Sequence, residues 1–296
     1  LTNDIFGHAA GDMLLQKGAA ILKKVCRADD IIARIGGDEF VILLPKTDFA
    51  DCRSIMERIK GEFSKEQLKA IRGSISMGCA VKNQLEQDIT RILQDAEDQM
   101  YLDKILHRRN NDQEQIQRIV ETLHEKDPRE KEHAERVSVI CEKIGRLLGL
   151  PEREIALLQK ACYLHDIGKI VQDESAPYKE AERQQHPVVG YRILNSFEDT
   201  MDLAECVLAH HERWDGSGYP KGLKGNEIPK LARIIALAEC YDRLVNRREE
   251  DSASGEEKFF AEIRRQAGSR FDPEIVKVLL KKGTIFQETV ARTGGS

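Results

Sequence analysis

The spacing of hydrophobic residues along the first 110 positions alternates between two periods. Apolar residues between Met13 and Val25 recur every three or four positions, which predicts an amphipathic helix. Two apolar runs, 31–35 and 40–44, flank a glycine-rich tetrapeptide and predict two strands joined by a tight turn. We expect a further strand at 74–81 and a helix from about 89 to 106. Together these elements predict an α/β domain.

From about residue 112 the strand pattern disappears, and the rest of the chain is predicted to be all α. Successive amphipathic segments are interrupted at 149–151, 215–220 and 252–255. The polar stretch 108–115 suits either a solvated linker or the first turns of a connecting helix, and we favour the helix. The predicted organisation is an α/β segment at 1–110, a connecting helix at 111–130, a helical domain at 131–285 and a flexible tail at 286–296.

Composition narrows the function classes without identifying one. The net charge is −5 and no stretch is densely basic, so we expect no binding to nucleic acid or to an anionic membrane. The seven cysteines are scattered without a CxxC pair, which favours a reducing cytoplasm over a disulfide framework. The sequence opens at Leu1 in what reads as the middle of a domain. We therefore expect a fragment of a longer protein, for which membrane anchorage stays open.

Histidines and aspartates of the helical segment fall mostly where the helical pattern calls for hydrophobic residues. Burying an imidazole or a carboxylate without partners is costly, and bound metal ions would remove both costs. A single histidine of this kind is more often a satisfied core or surface residue, but adjacent pairs on one segment favour ligation. Mixed imidazole and carboxylate donors suit a borderline divalent metal such as iron, manganese, nickel, cobalt or zinc. The residues are His133, His165, Asp166, His186, His210, His211 and Asp242.

These residues lie in segments that resemble the signature blocks of HD-GYP phosphodiesterases, between about residues 115 and 280. The blocks are HAERV at 133–137, HDIGK at 165–169, HPVVG at 186–190, HHERWDGSGYP at 210–220, ARI at 232–234, and Asp242. The resemblance implies that one metal ion is held by His133, His165, Asp166 and Asp242. It implies that a second ion is held by Asp166, His186, His210 and His211, with Asp166 bridging. The expected cofactors are two divalent transition-metal ions, iron or manganese.

The resemblance further implies hydrolysis of cyclic di-GMP by a hydroxide that the two cations activate. Asp166 and Lys169 are the expected catalytic residues. A substrate with two phosphodiesters also needs cationic anchors, for which Lys169 and Arg233 are the candidates, with a plain surface ion pair as the alternative for both. The expected substrate loop contains Gly218, Tyr219 and Pro220.

Two departures from the family pattern bear on this expectation. The segment between Lys169 and His186, which includes 176–178, is shorter than usual, so metal affinity or substrate choice can differ. Position 129 is arginine where some members carry a glutamate for a third metal, so we expect two metals, with Glu130 and Glu132 nearby.

The first segment resembles GGDEF domains, the diguanylate cyclase family. The name-giving motif is Gly36, Gly37, Asp38, Glu39 and Phe40. Backbone amides at such a hairpin tip can approach a triphosphate, and Glu39 could bind magnesium. The resemblance assigns Asn3 and Asp12 to guanine recognition and places Arg27 and Asp30 at the spacing of the inhibitory site. The first third of the domain, with its first strand, is expected to be absent, so we expect no cyclase activity from this fragment.

The sequence thus predicts a metal-dependent phosphodiesterase that converts cyclic di-GMP to pGpG or GMP. Its GGDEF segment would be regulatory here, would bind GTP with magnesium only if complete, and could be a cyclase in a full-length parent. A homodimer is left open. Two alternatives also stay open, namely a catalytically weak module that binds cyclic dinucleotides and an HD phosphohydrolase acting on another cyclic dinucleotide such as cyclic GMP-AMP.

Overall fold

The computed structural model describes residues 2–68, 71–172, 184–245 and 252–282. The backbone contacts divide the chain into two compact units, Leu1–Ile119 and Val120–Ser296.

In its described residues the first unit contains three helices, most of a fourth, a two-stranded hairpin and a short second ladder. The helices are α1 (Thr2–Phe6), α2 (His8–Val25), α3 (Phe49–Phe63) and α4 (Ile89–Lys126), and the strands are β1 (Ile31–Gly36), β2 (Glu39–Leu43), β3 (Gln67–Leu68) and β4 (Ile71–Arg72). Strands β1 and β2 pair antiparallel from Ile31 opposite Leu43 to Gly36 opposite Glu39. The predicted hairpin is therefore confirmed, with Gly37 at its tip at a φ of 36°, a conformation that glycine adopts at little cost.

The core of the first unit forms between α2 and α3. Leu22 of α2 and Ile59 of α3 are almost fully buried, and Ile32 and Ile42 of the hairpin pack against the same cluster. The burial follows the helical spacing that the sequence predicts.

The strand predicted at 74–81 is wrong. Among the described residues no backbone ladder reaches this segment, and a strand requires a partner for its amide and carbonyl groups. The chain instead runs directly against α4, since a Cβ added to Gly78 would lie 2.0 Å from the Ala96 carbonyl oxygen.

Helix α4 is longer than predicted, with 38 residues. It includes the polar stretch 108–115, which confirms the choice of a helix over a linker. The predicted tail at 286–296 lies outside the described residues. None of the helices in the described ranges combines the length and the apolar character needed to cross a membrane.

The second unit is all α in its described residues, apart from isolated bridges, and the predicted fold class is confirmed. Its first long helix begins with a Pro at position 128, and the Asp127 carboxylate caps it by accepting from the Arg129 amide, a favourable helix start. The helices are α5 (Pro128–Leu147), α6 (Glu152–Leu164), α7 (His186–Asn195), α8 (Met201–Leu208), α9 (Lys230–Val245), α10 (Ser252–Arg265) and α11 (Pro273–Lys281). Short 3-10 turns occupy Ile167–Val171, Glu198–Thr200 and Gly225–Glu227.

Candidate metal centre

Four segments of the second unit bring six histidine and aspartate side chains together. Helix α5 supplies one imidazole, the end of α6 supplies an imidazole and the carboxylate that follows it, α7 begins with a third imidazole, and the residues after α8 supply two more. The side chains are His133, His165, Asp166, His186, His210 and His211. The structure therefore places six of the seven residues singled out in the sequence around one centre, in two neighbouring groups.

The first group consists of three imidazoles. His186 Nε2 lies 3.2 Å from His210 Nε2 and 3.1 Å from His211 Nε2. Three ring nitrogens that face one another can share a divalent cation but cannot all be protonated, because their charges would repel.

The second group contains His133, His165, Asp166 and Glu239, whose ligand atoms all lie within 4.8 Å of one another. Asp166 also reaches the first group. Its Oδ2 lies 3.0 Å from His165 Nε2, and its Oδ1 lies 3.2 Å from His186 Nε2. One carboxylate thus connects both groups, as a bridging ligand would.

Asp242, which the sequence predicts as a ligand, belongs to neither group. Its Oδ2 lies 2.7 Å from His133 Nδ1, and its Oδ1 accepts from Arg136 Nε at 2.6 Å. Glu239, one helical turn earlier on α9, belongs to the second group in its stead. Sequence reasoning missed Glu239, although a signal was available, since it is a lone charge in the apolar run 234–241.

The outer nitrogens of three imidazoles have partners that can only accept a hydrogen bond. His165 Nδ1 lies 2.6 Å from the Cys162 carbonyl oxygen, and His210 Nδ1 contacts the Val207 carbonyl oxygen. His133 Nδ1 faces the Asp242 carboxylate. Each Nδ1 therefore carries the hydrogen, which leaves the Nε2 lone pair available to a metal ion.

The polar atoms at the centre fit bound cations. His165 Nε2 and Asp166 Oδ1 are buried and make no hydrogen bond among the described residues, a costly state that a metal ion would relieve. Burial opposes the charged form of Asp166, but His165 and Lys169 hold its pKa well below the usual value. Burial lowers the pKa of His210 well below its usual value, and His211 adds to this effect. The ionised Asp166 carboxylate and the neutral His210 imidazole have the protonation states of metal ligands. Burial would lower the pKa of His165, but Asp166 and Glu239 raise it well above its usual value, so a metal ion bound there would replace the proton on Nε2.

Lys169 lies beside the centre with two acidic partners. Its Nζ is 2.7 Å from Asp166 Oδ2 and 2.8 Å from Glu130 Oε1. Burial would lower the pKa of Lys169, but Asp166 and Glu130 raise it above its usual value, so the ammonium stays charged. Glu130 is therefore a partner of Lys169, while the side chain of Glu132 is 73% exposed.

Arg233, predicted as a substrate anchor, is engaged elsewhere in the second unit. Its Nη1 donates to Asp272 Oδ2 at 2.6 Å and to Asn226 Oδ1 at 3.1 Å, and its guanidinium lies over the Trp214 ring. Asp272 caps α11. The ion pair joins the start of α9 to the start of α11. This contact is the one that the ion-pair alternative for Arg233 predicts.

The loop from 212 to 225 covers one side of the first group. The ring centroid of Tyr219 lies 5.0 Å from that of His211, and the Tyr219–Pro220 peptide bond is cis. Gly218 passes so close to the loop base that an added Cβ would lie 2.4 Å from the Arg213 amide nitrogen. Glu212 is buried, and its carboxylate accepts from the backbone amides of Lys221 at 2.7 Å and Leu223 at 3.0 Å. The loop shape thus depends on one buried carboxylate and one glycine.

In the first unit the predicted nucleotide residues are spread over the α1–α2 region and the hairpin. Gly36, Gly37, Asp38 and Glu39 are exposed at the hairpin tip, and Phe40 is half-buried. Asn3 and Asp12 are exposed, and the Asn3 side chain lies so close to Gly11 that an added Cβ would clash with it. The Arg27 amide donates to Asp30 Oδ2 at 2.7 Å, so Asp30 closes the turn before β1.

Two known protein families match the sequence of this chain. The family model for the HD domain matches residues 118–275, and the chain belongs to this family. The model for the diguanylate cyclase GGDEF domain matches residues 1–111. The recognition of a GGDEF segment followed by an HD-GYP segment is confirmed.

Similar curated proteins include a cyclic di-GMP phosphodiesterase of Thermotoga maritima, 40% identical over 50% of this chain and 43% of its own length. A 3'3'-cGAMP-specific phosphodiesterase of Vibrio cholerae is 36% identical over 50% of this chain and 30% of its own. The cyclic di-GMP phosphodiesterase response regulator RpfG of Xanthomonas campestris pv. campestris is 33% identical over 57% of this chain and 48% of its own. The chain therefore spans less than half the length of each of these three relatives.

Proposed function

We propose that this chain is a metal-dependent phosphodiesterase that hydrolyses cyclic di-GMP to pGpG or GMP. The observation that carries the proposal is the pair of ligand groups joined by Asp166. We assign His133, His165, Asp166 and Glu239 to one metal ion and Asp166, His186, His210 and His211 to the other. The relatives of Thermotoga and Xanthomonas are named for this substrate and support the proposed activity on cyclic di-GMP.

The chemistry proposed for the centre is in-line hydrolysis of a phosphodiester. Two divalent cations, iron or manganese, held by these residues would supply a hydroxide near neutral pH and would neutralise the charge that develops on the phosphoryl and leaving oxygens. Asp166 orients both ligand groups. Lys169 holds Asp166 ionised and places a positive charge beside the reacting phosphate. Tyr219 and the loop around it restrict the access of water on the side of His211.

One rival substrate is supported by a specific observation. The Vibrio relative, which also matches over 50% of the chain, is named for 3'3'-cGAMP, so a cyclic dinucleotide with one adenine is the second candidate. A catalytically weak module that binds cyclic dinucleotides is the third. The GGDEF segment is proposed to regulate the hydrolase by binding GTP or cyclic di-GMP, with Arg27, Asp30, Asn3, Asp12 and the 36–40 motif as contacts. A cytoplasmic location and a homodimer belong to the same proposal.

The test is a product assay on anaerobically purified protein with its metal content measured. With manganese or iron present, we expect cyclic di-GMP to yield pGpG or GMP. The His165→Ala, Asp166→Ala double variant should lose both the product and about two metal ions per chain. Faster turnover of 3'3'-cGAMP than of cyclic di-GMP would select the rival substrate. Tight binding without product would select the binding module.

A further inference from the structure

An open cavity adjoins the metal centre, and its lining combines the ligand residues with three arginines. The cavity has a volume of about 410 Å³, which is large enough for part of a nucleotide-sized ligand. Its lining residues are His133, His211, Glu239 and Asp242 together with Arg136, Arg243 and Arg270. A molecule in this space would contact the centre and the arginines together.

The three arginines differ in their partners. Arg136 is engaged with Asp242, to which its Nε donates at 2.6 Å. Over the described ranges, neither Arg243 nor Arg270 forms an ion pair with a carboxylate. Arg243 approaches only the Cys240 sulfur, at 3.9 Å, and the Arg270 guanidinium lies 4.9 Å from the centroid of the Phe271 ring. Two guanidinium groups therefore face the cavity without an acidic partner.

Both arginines are held in place by the elements that build the centre. Arg243 lies four residues after Glu239 on α9, so the two side chains share one helix face. The backbone of Arg270 is fixed on both sides, since its amide donates to the Gln266 carbonyl at 3.0 Å and its carbonyl accepts from the Trp214 amide at 3.2 Å. Trp214 begins the loop that carries Tyr219. The arginine positions are thus coupled to the positions of the ligands.

The local electrostatics favour an anion at this place. Burial lowers the pKa of Arg270, and the nearby Arg243 and Arg213 lower it further by repulsion, while Cys240 and Glu239 act in the opposite direction without reversing the shift. A partly buried cation that is repelled by its neighbours gains most from an anion that contacts two guanidinium groups at once. Phosphate suits this arrangement, since a guanidinium can donate two parallel hydrogen bonds to its oxygens.

We infer that Arg243 and Arg270 form an anchor for the second phosphodiester of a cyclic dinucleotide whose first phosphodiester lies at the metal centre. This inference rests on the proposed hydrolase function. It explains how a ring with two phosphates is selected over a substrate with one, because a ligand with two phosphodiesters can place one at the centre and the other at the arginines, whereas a single phosphodiester cannot occupy both positions. It also assigns the anchoring role to residues other than Arg233.

The test compares Arg243→Gln, Arg270→Gln and the double variant with wild type. Arg153→Gln is the matched control, since Arg153 is exposed at the start of α6 and the described residues offer it no ion pair. Binding of a hydrolysis-resistant phosphorothioate analogue of cyclic di-GMP is measured by calorimetry on manganese-loaded protein. Each single variant should weaken Kd about tenfold, and the double variant by about a hundredfold, because each removes a charge-assisted contact.

A second readout separates an anchor from general damage to the centre. Bis(p-nitrophenyl) phosphate carries one phosphodiester, so the ratio of kcat/KM for cyclic di-GMP to kcat/KM for this compound should fall about tenfold in each single variant. Metal content should match wild type. An unchanged Kd in the double variant, an unchanged kcat/KM ratio, or no binding of the analogue by wild type would each overturn the anchor. Failure of wild type to hydrolyse cyclic di-GMP while it binds the analogue through the arginines would instead overturn the proposed function.

Discussion

The orientation of His133 depends on a carboxylate that is not itself a ligand in our assignment. Asp242 accepts from His133 Nδ1 and is held by Arg136. In Asp242→Asn the amide can no longer satisfy both neighbours, so the imidazole loses its fixed tautomer and orientation. We expect metal affinity to fall about 10- to 100-fold, the range for residues that orient a ligand. Titration with a competing chelator measures this, and excess metal should restore the occupancy.

Glu239→Gln should behave differently, because we assign Glu239 as a ligand. An amide is a poor substitute for a carboxylate at a borderline metal ion, so we expect one metal ion of two to be lost and not restored by excess metal. Elemental analysis at rising metal concentration distinguishes the two variants. The roles of the two residues would be the reverse if Asp242→Asn lost one metal ion that excess metal did not restore, and if Glu239→Gln showed only a reduced metal affinity that excess metal overcame.

The sequence predicts the histidines of the centre but does not distinguish Glu239 from Asp242. The histidines could be predicted because polar residues at buried helical positions stand out from an apolar pattern. Glu239 and Asp242 lie three positions apart on one face of α9, so spacing alone does not say which of them reaches the centre. The ion pair of Arg233 with Asp272 joins residues 39 positions apart, so the spacing of neighbouring residues along the sequence does not predict it.

At the scale of elements, one glycine allows two segments to meet at the bridging carboxylate. Gly168 lies in the turn after Asp166, and an added Cβ would be 2.0 Å from the His186 carbonyl oxygen and 2.6 Å from the Gly190 amide nitrogen. In Gly168→Ala the turn and α7 must move apart, which should separate Asp166 from His186. We expect a loss of about 1–3 kcal/mol in the free energy of unfolding together with reduced metal content, measured by denaturant titration and elemental analysis.

Gly61→Ala is the control for this substitution. Gly61 lies within α3, and an added Cβ meets nothing within 4 Å. Replacing glycine within a helix should raise the stability by about 0.5–1 kcal/mol and leave the metal content unchanged. Normal metal content in Gly168→Ala would show that the close approach is not needed for the centre.

The loop over the first ligand group depends on the Glu212 carboxylate, which accepts two backbone amides. In Glu212→Gln one of these amides would face the side-chain NH2 group, and leaving a buried donor unsatisfied costs about 1–3 kcal/mol. We expect the Lys221 or Leu223 amide to exchange with solvent about tenfold faster or more, as measured by hydrogen exchange. Glu205→Gln is the control, since Glu205 only pairs with Lys221 Nζ at the surface, and exchange should stay near that of wild type.

Elements that repeat a local pattern could be predicted, and elements defined by a distant partner could not. The hairpin at 31–43 follows from two apolar runs around a glycine turn, which are adjacent in sequence. The segment 74–81 has the composition of a strand, but strand formation requires a second chain segment at hydrogen-bonding distance. The length of α4 also exceeded the prediction, because the polar stretch 108–115 contains neither the glycine nor the proline that would end a helix.

Each of the two units has its own hydrophobic core. The cluster around Leu22 and Ile59 belongs to the first unit, and buried residues such as Ile144 and Leu158 belong to the second. The fold class of each could be predicted because its periodicity is uniform over many residues. The division at Ile119 falls inside α4, where the helical pattern gives no sign of it.

Removal of metal should therefore destabilise one unit and leave the other unchanged. Both ligand groups found in the described residues lie in the second unit, and a ligand that binds only the folded state adds about 2.7 kcal/mol at 100 times its Kd. We expect calorimetry to show two transitions, of which a chelator lowers only one. Ile59→Ala, a core substitution in the first unit that costs about 2–5 kcal/mol, should lower the other. A chelator that shifts both transitions equally would mean that the two cores do not unfold independently.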